Sequence, residues 1–354
     1  MMQVIHSTSV QATLQLIATN IQIQPNFCIQ HSGYKPYELP AEAIDRFHNV
    51  PDDLQQKYLM LHLRSFLYGI YYNGSMQSAL ALNSQSPMQN LENNTLLGVD
   101  LAFFDRLHDH NQGHGYFDPG WTIVRQEADR TLAAQKGELT LHLNPDQHLA
   151  QNASINQVVA VRMPKNIVQN GFYMAIGNAG ATRSRFASTT VRVYFNYSPD
   201  GAIAIMHELT QALNEIDLPF SFKTLYNPSD YQRYDAGVLY VDRQDYAQVQ
   251  TVLSRIYAQH HAHFRVQTPM FTKCLAPGIG LAEEPDQKFS AQESFGMNRC
   301  QMIAQGLLAA QQTGDESEAT RLHYIAQTFE AHGISCDRAY LNADSDDIYP
   351  VLLC

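Results

Sequence analysis

Positive charge is scarce in this chain: 23 Lys and Arg stand against 34 Asp and Glu, a formal net charge of −11. That balance excludes broad electrostatic capture of nucleic acid or of an anionic membrane face, so an anionic ligand needs a local basic site. Cysteine is sparse as well. The five, Cys28, Cys274, Cys300, Cys336 and Cys354, form no CxxC pair, which removes the usual metal-ligand and redox spacings and points to a reducing cytoplasm. No run approaches the roughly 18 apolar residues of a membrane span. The start, MMQVIHSTSVQATLQL, has no cationic segment leading into an apolar one. The expectation is a cytoplasmic protein without a cleavable export signal and with no nucleic-acid or membrane partner. Internal repeats and low-complexity tracts are missing too.

What is present is enough apolar matter for one large core or two modest ones: 45% of 354 residues are hydrophobic. Residues 54–72 place Leu59, Leu63, Phe66 and Ile70 at helical intervals up to the Asn-Gly turn signal of Asn73 and Gly74, and further helix is expected at about 94–108. Residues 111–121, NQGHGYFDPGW, hold three glycines, a proline and the single tryptophan, and read as a loop. Beyond it TLHL, QVVAVRM and TTVRVYFNY alternate as strands do. Residues 201–216 carry Ile203, Met206, Leu209, Leu213 and Ile216 on one helical face, LPFSFKTLY and AGVLYV read as strands, and helices are expected at about 243–260, 297–312 and 317–332. The Pro- and Gly-rich segment 265–296 is too long for an ordinary connector and reads as a structured loop over a site. The fold class is α+β, a largely antiparallel sheet flanked by helices after a helical N-terminal region. The expected division is residues 1–115 for that region and 116–354 for the α+β domain with its C-terminal helices.

Charge collects in one place. Between Val161 and Pro199 lie Arg162, Lys165, Arg183, Arg185 and Arg192 with no Asp or Glu. On the strand VRVYFNY, Arg192, Tyr194 and Asn196 share one face while Val191, Val193, Phe195 and Tyr197 share the other, and on PFSFKTLY Phe220 and Phe222 oppose Ser221 and Lys223. If the two strands are neighbours, Lys223 faces Arg192 across a polar cleft. The competing reading is the wet side of a half-exposed antiparallel sheet.

The ordered segments NQGHGYFDPGW, VRVYFN, LPFSFKTLYN, YQRYDAGVLYV, TPMFTKCLAPGIGLAEEP, SFGMNRC and AYLNADSDDIY, spread over roughly residues 55–350, resemble the HopA family. That family comprises type III effector-like proteins and relatives in ribosomal-peptide biosynthesis of the class V lanthipeptide and thioamitide types. Such relatives occur beside kinase-like proteins in pathways that phosphorylate Ser/Thr and then eliminate the phosphate, and the resemblance implies the elimination half. More remotely, the layout around Lys223 and Arg233 resembles bacterial phosphothreonine lyases, which carry a Lys-x-His pair where this chain has Arg192 and Tyr194. The 116–354 domain is accordingly expected to be phosphothreonine-lyase-like, acting on a phosphorylated precursor peptide with a separate kinase-like partner.

β-Elimination of phosphate needs a base at the Cα–H, stabilisation of the developing enolate-like carbonyl, and a clamp with a proton donor for the departing phosphate; it needs no cofactor. Lys223 is the candidate base and Tyr194 the candidate acid or hydrogen-bond donor. Arg192, Arg233 and Arg299 are the candidate clamp, because guanidinium groups hold phosphate oxygens in pairs. Arg183, Arg185 and Lys165 are candidate additional anion contacts. Taken singly, each has an ordinary structural reading: Arg233 can simply pair with Asp235. His108, His110 and His114 suggest a metal, but no second ligand cluster accompanies them, and no metal is expected. Gly177, Asn178 and Gly180 form a candidate anion nest without a phosphate-loop motif. The alternative function is an effector-like or scaffold protein that binds a peptide or protein partner without chemistry.

Overall fold

The computed structural model describes residues 9–24, 26–47, 49–83, 95–96, 98–181 and 189–352. Its centre is a seven-stranded antiparallel sheet built from β10 (Asn166–Gln169), β11 (Phe172–Ile176), β12 (Thr190–Phe195), β13 (Ser221–Leu225), β14 (Gly237–Asp242), β15 (Lys273–Ala276) and β16 (Ile279–Glu283). Their spatial order is β10-β11-β13-β14-β12-β16-β15. Cross-strand partners share a face, so the register Ile167, Met174, Lys223, Val238, Tyr194 defines one row across the sheet. Ser221, Tyr240, Arg192 and Ala282 define the next row on that same side.

The opposite side is a dense apolar layer. Val191, Val193, Phe195, Phe222, Leu239 and Val241 meet α7 (Pro199–Glu215) and α8 (Tyr246–His260) there. Helix α7 forms where the sequence says it does, because Ser198 caps it by accepting from the Gly201 N–H at 3.1 Å and Pro199 takes a first-turn position that has no N–H to satisfy. Its stripe of Ile203, Met206, Leu209 and Leu213 is buried.

Covering part of the first face are α3 (Asp52–Leu67), a π-helical turn at Tyr68–Tyr72, α9 (Phe295–Thr313) and α10 (Glu318–Ala331). Helix α9 is buried nearly all round because it lies in the middle of this layer. At Gly306 a Cβ would meet the Ile325 Cα at 2.6 Å, so only glycine lets α9 and α10 cross this closely. Alongside α1 (Val10–Asn20), α2 (Ala41–Phe47), α4 (Gln77–Leu80) and α5 (Leu101–His110), the N-terminal region carries a three-stranded meander, β1 (Ile21–Gln24), β2 (Cys28–His31) and β3 (Tyr34–Tyr37), and a short ladder of β4 (Thr95–Leu96) and β5 (Val99–Asp100). Its buried residues Leu14, Ile17, Leu63 and Phe66 share one core with Ile303 and Phe329 of α9 and α10.

Residues 116–163 build a separate four-stranded sheet, β8-β7-β6-β9, from β6 (Tyr116–Gln126), β7 (Leu132–Lys136), β8 (Leu139–Leu143) and β9 (Val158–Met163), with α6 (Pro145–His148) beside it. Trp121, Ile123, Leu132 and Val161 form its small core. Two expectations are corrected here. YFDPGW is strand and not loop: the pairing of β6 with β9 shifts register between Pro119 and Trp121, and a bulge tolerates both the missing proline N–H and Gly120 at φ 89°. Segment 265–296 is no loop throughout, since β15 and β16 lie within it and complete the sheet edge through a turn at Gly278, φ 77°.

Candidate functional site

The sheet face that bears Lys223 and Arg192 holds a small cavity of about 70 Å³ lined by Tyr68, Tyr72, Arg192, Tyr194, Lys223 and Arg233, among others. A water needs roughly 10–15 Å³ of such space, so the cavity has room for a small polar group. Lys223 and Arg192 are not on adjacent strands. β14 runs between them, and its Tyr240 bridges the gap: the Arg192 Cζ lies 5.1 Å and the Lys223 Nζ 5.6 Å from the centre of that ring. Phe172 does the same on the other side, 4.5 Å from the Lys223 Nζ and 5.8 Å from the Arg233 Cζ. Two aromatic faces thus hold three like charges in a chain, each contact attractive through the ring quadrupole.

Carboxylates fix the two arginines. Arg233 donates to Asp235 through Nε at 2.5 Å and Nη2 at 2.9 Å. Asp235 also accepts from the Tyr68 hydroxyl at 3.3 Å, which ties the sheet to the π-helical turn. Arg192 donates through Nε to Glu284, whose other oxygen accepts from Lys288 at 2.5 Å. Burial works against the charge of both arginines. The surrounding groups, Tyr194, Tyr240 and Glu284 at Arg192 and chiefly Asp235 at Arg233, outweigh it and raise both pKa values. Lys223 is held by an amide instead, donating to the Gln169 Oε1 at 3.3 Å. With Lys288 counted, four cations face two carboxylates here, a surplus of positive charge that suits a phosphate dianion.

Tyr194 is 2% exposed and its hydroxyl, buried in this pocket, faces the Tyr72 hydroxyl but has no partner in good hydrogen-bonding geometry. An orphaned buried hydroxyl costs about 1–3 kcal/mol, so in a pocket lined by arginines it marks a place for a bound group. Burial raises its phenol pKa, with the Arg192 charge pulling partly back; burial also pushes up Tyr68 and Tyr72. All three therefore stay protonated and act as donors.

Other sequence candidates fall elsewhere. Arg299, read as a third clamp, is 1% exposed inside α9; it donates to the Ala339 and Leu341 carbonyls and to Asn298, and lies over the Phe295 ring. Burial, only partly offset by Asp286, pushes its pKa down to about 10. It fastens the C-terminal segment and lines no part of the pocket. Lys165 is likewise corrected: its Nζ donates to the carbonyls of His108 at 2.9 Å and Asn111 at 3.0 Å at the end of α5, where a cation complements the helix dipole. Arg183 and Arg185 lie outside the described residues. The Gly177 and Gly180 N–H groups bond to Phe220 and Gly177 carbonyls, and that of Asn178 to Asn214, so they make no anion nest. Among the described residues no group of three or more His, Cys, Asp or Glu is placed to hold a metal, and no helix is long and apolar enough to cross a membrane.

Sequence reasoning missed Tyr68, Tyr72, Phe172, Tyr240, Glu284 and Ser294, and named Asp235 only as a structural partner of Arg233. Three of these had a signal. Tyr240 alternates with Leu239 on the AGVLYV strand and so shares a face with Val238. Tyr68 and Tyr72 stand four apart at the end of a helical run, and the π-helical turn that carries them is a rare conformation concentrated at functional sites.

No curated protein matches the chain. Among solved structures, it is similar to an effector protein from Pseudomonas syringae pv. tomato strain DC3000, with 18% identity, 79% of this chain and 90% of the other covered, and a TM-score of 0.44. It is also similar to an effector protein from Pseudomonas syringae pv. syringae strain 61, with 12% identity, 96% and 99% covered, and a TM-score of 0.45. Residues 163–341 match the HopA1 effector protein family. That stretch holds the whole seven-stranded sheet, α7 to α10, and Arg192, Tyr194, Lys223 and Arg233. Half of the chain is matched, including the pocket face of its central sheet, and the protein belongs to the HopA1 effector protein family.

Proposed function

We propose that this pocket eliminates phosphate from phosphoserine or phosphothreonine in a peptide, leaving a dehydroamino acid. The observation that carries the reading is the convergence of Lys223, Arg192, Arg233 and the unpartnered Tyr194 hydroxyl on one small cavity. Arg192 spends Nε on Glu284 and Arg233 spends Nε and Nη2 on Asp235, and both keep further guanidinium N–H groups for phosphate oxygens. Lys223 first gives a proton to solvent, and its amine then takes the Cα proton. The electron pair released forms the Cα–Cβ double bond as the Cβ–O bond breaks, and the phosphate leaves into the arginine clamp with a proton from Tyr194. Tyr194 is reprotonated from solvent and Lys223 returns its proton there.

The test is to incubate the protein with a phosphothreonine peptide and follow the peptide mass. Elimination removes the elements of phosphoric acid, whereas hydrolysis leaves the hydroxyl behind. A second reading has its own support in Tyr194, which stands where the remote lyases carry histidine, and in the internal carboxylates already seated on both arginines. On that reading the protein binds a phosphopeptide and releases it unchanged.

A further inference from the structure

We propose that the N-terminal turn of α9, capped by Ser294, is the third seat for the phosphate in this pocket. It provides the contact that Arg299 does not make. The inference rests on reading the pocket as a phosphate site, though not on the elimination step.

The first turn of an α-helix has N–H groups with no partner inside the helix, and the aligned peptide dipoles add partial positive charge there. In α9 the cap takes care of two of them: Ser294 Oγ accepts from the Met297 N–H at 3.3 Å and the Ser294 carbonyl from the Asn298 N–H at 2.9 Å. The Phe295 and Gly296 N–H groups precede these in the turn and are the natural donors to an oxyanion. The nearest carboxylate does not occupy them. Glu293 spends Oε2 on the Phe289 N–H and the Asn298 amide, both at 2.9 Å, and its buried Oε1, without a hydrogen-bond partner, pairs with the Arg64 guanidinium at 3.8 Å.

Three observations place this helix end at the edge of the pocket. Ser294 lines the same cavity as Arg192, Arg233 and Lys223. The Tyr194 hydroxyl, buried in that cavity without a partner, packs through its ring 6.4 Å from the ring of Phe295. Gly296 is a position where a Cβ would come within 2.4 Å of the Tyr72 ring, so glycine there lets the pocket tyrosine close down on the turn. The ligand is a tetrahedral phosphate, held by guanidinium groups on one side and backbone N–H groups on the other. It is either the phosphate of a phosphorylated side chain or free phosphate left as product.

Amide resonances of ¹⁵N-labelled protein titrated with inorganic phosphate read the seat directly: those of Phe295 and Gly296 shift as phosphate binds. Affinity for inorganic phosphate and for a phosphothreonine peptide is then compared across two variants that both cap the helix. Ser294→Asp places a negative charge at the seat and binds both ligands about tenfold or more weakly than the isosteric, neutral Ser294→Asn. Loss of the peptide alone identifies a seat for the esterified phosphate, and loss of both a seat that also holds the free product. Unshifted Phe295 and Gly296 amides at saturating phosphate, or equal affinity of the Asp and Asn variants, overturn the proposal. Those results beside intact turnover leave the lyase reading standing. A shifted turn without turnover does the reverse.

Discussion

Two buried tyrosines three residues apart show how differently the two faces of the central sheet are built. Tyr197, on the face covered by α7 and α8, donates to Thr224 Oγ1 at 2.9 Å; Thr224 bonds to Tyr231, and Tyr231 donates to the Leu225 carbonyl at 2.7 Å. Among the described residues no buried hydroxyl of that layer lacks a partner, although the Asn214 amide of α7 keeps one unpaired Nδ2. Tyr194, on the other face, is as deeply buried and unanswered. The tyrosine hydroxyls of one face are satisfied within the protein, and that of Tyr194 on the other is not. Evolution tolerates such a deficit where function needs it.

The largest effect that sharpens this contrast is on packing. Phe222→Ala, on the covered face, should cost about 3–5 kcal/mol of stability. Lys223→Ala, the adjacent residue on the pocket side, should leave the denaturation midpoint within about 0.5 kcal/mol of wild type. Equal losses would erase the distinction between the faces.

Next in size, Arg192→Ala and Arg233→Ala should each weaken phosphopeptide binding by about 1.5–3 kcal/mol, the worth of a charge-assisted hydrogen bond. Titration calorimetry reads this, and unchanged affinity would remove that arginine from the clamp.

The tyrosine pair gives a smaller and more diagnostic split. Tyr197→Phe breaks a satisfied network and should destabilise the fold by about 0.5–1.5 kcal/mol. Tyr194→Phe deletes a hydroxyl that has only the Tyr72 hydroxyl beside it, outside good hydrogen-bonding geometry, so it should leave stability unchanged or raised while weakening phosphate binding. A destabilised Tyr194→Phe would show that the hydroxyl has a structural partner after all.

The smallest effect is pH-dependent. Burial pushes Glu284 up, but Arg192 and Lys288 pull its carboxyl below the ordinary value of 4.5. A carboxyl with a depressed folded pKa contributes stability that is fully present above its unfolded value and is lost as pH falls through the folded one. Glu284→Gln should therefore flatten part of the loss of thermal stability between neutral pH and about pH 3. An acid limb as steep as wild type would mean that the Arg192 pair adds nothing to the fold.

Much of this was legible in the sequence where the information is local. The period of two over residues 191–197 separates Arg192 and Tyr194 from Val193 and Phe195, and the stripe of 201–216 marks the helix that covers the apolar side. Pairing order is non-local, so nothing in either strand says that β14 passes between Lys223 and Arg192. Pro119 and Gly278 misled the reading because a bulge and a hairpin turn use the same residues as a loop. Arg299 had an unused signal: it sits four residues after Phe295 and four before Ile303, on a stripe that the structure buries. Tyr68 and Tyr72 reach the pocket from far away in the chain, and only the shared core of α3, α9 and the sheet brings them there.

Turnover against affinity in the Lys223→Ala variant tests the account most directly. A base acts mainly in the transition state, whereas the arginines also hold the ground state. The account predicts that this variant binds a phosphothreonine peptide nearly as tightly as wild type and eliminates phosphate about 10²–10⁴-fold more slowly. Elimination at the wild-type rate would contradict it and make Lys223 a bystander on the pocket floor.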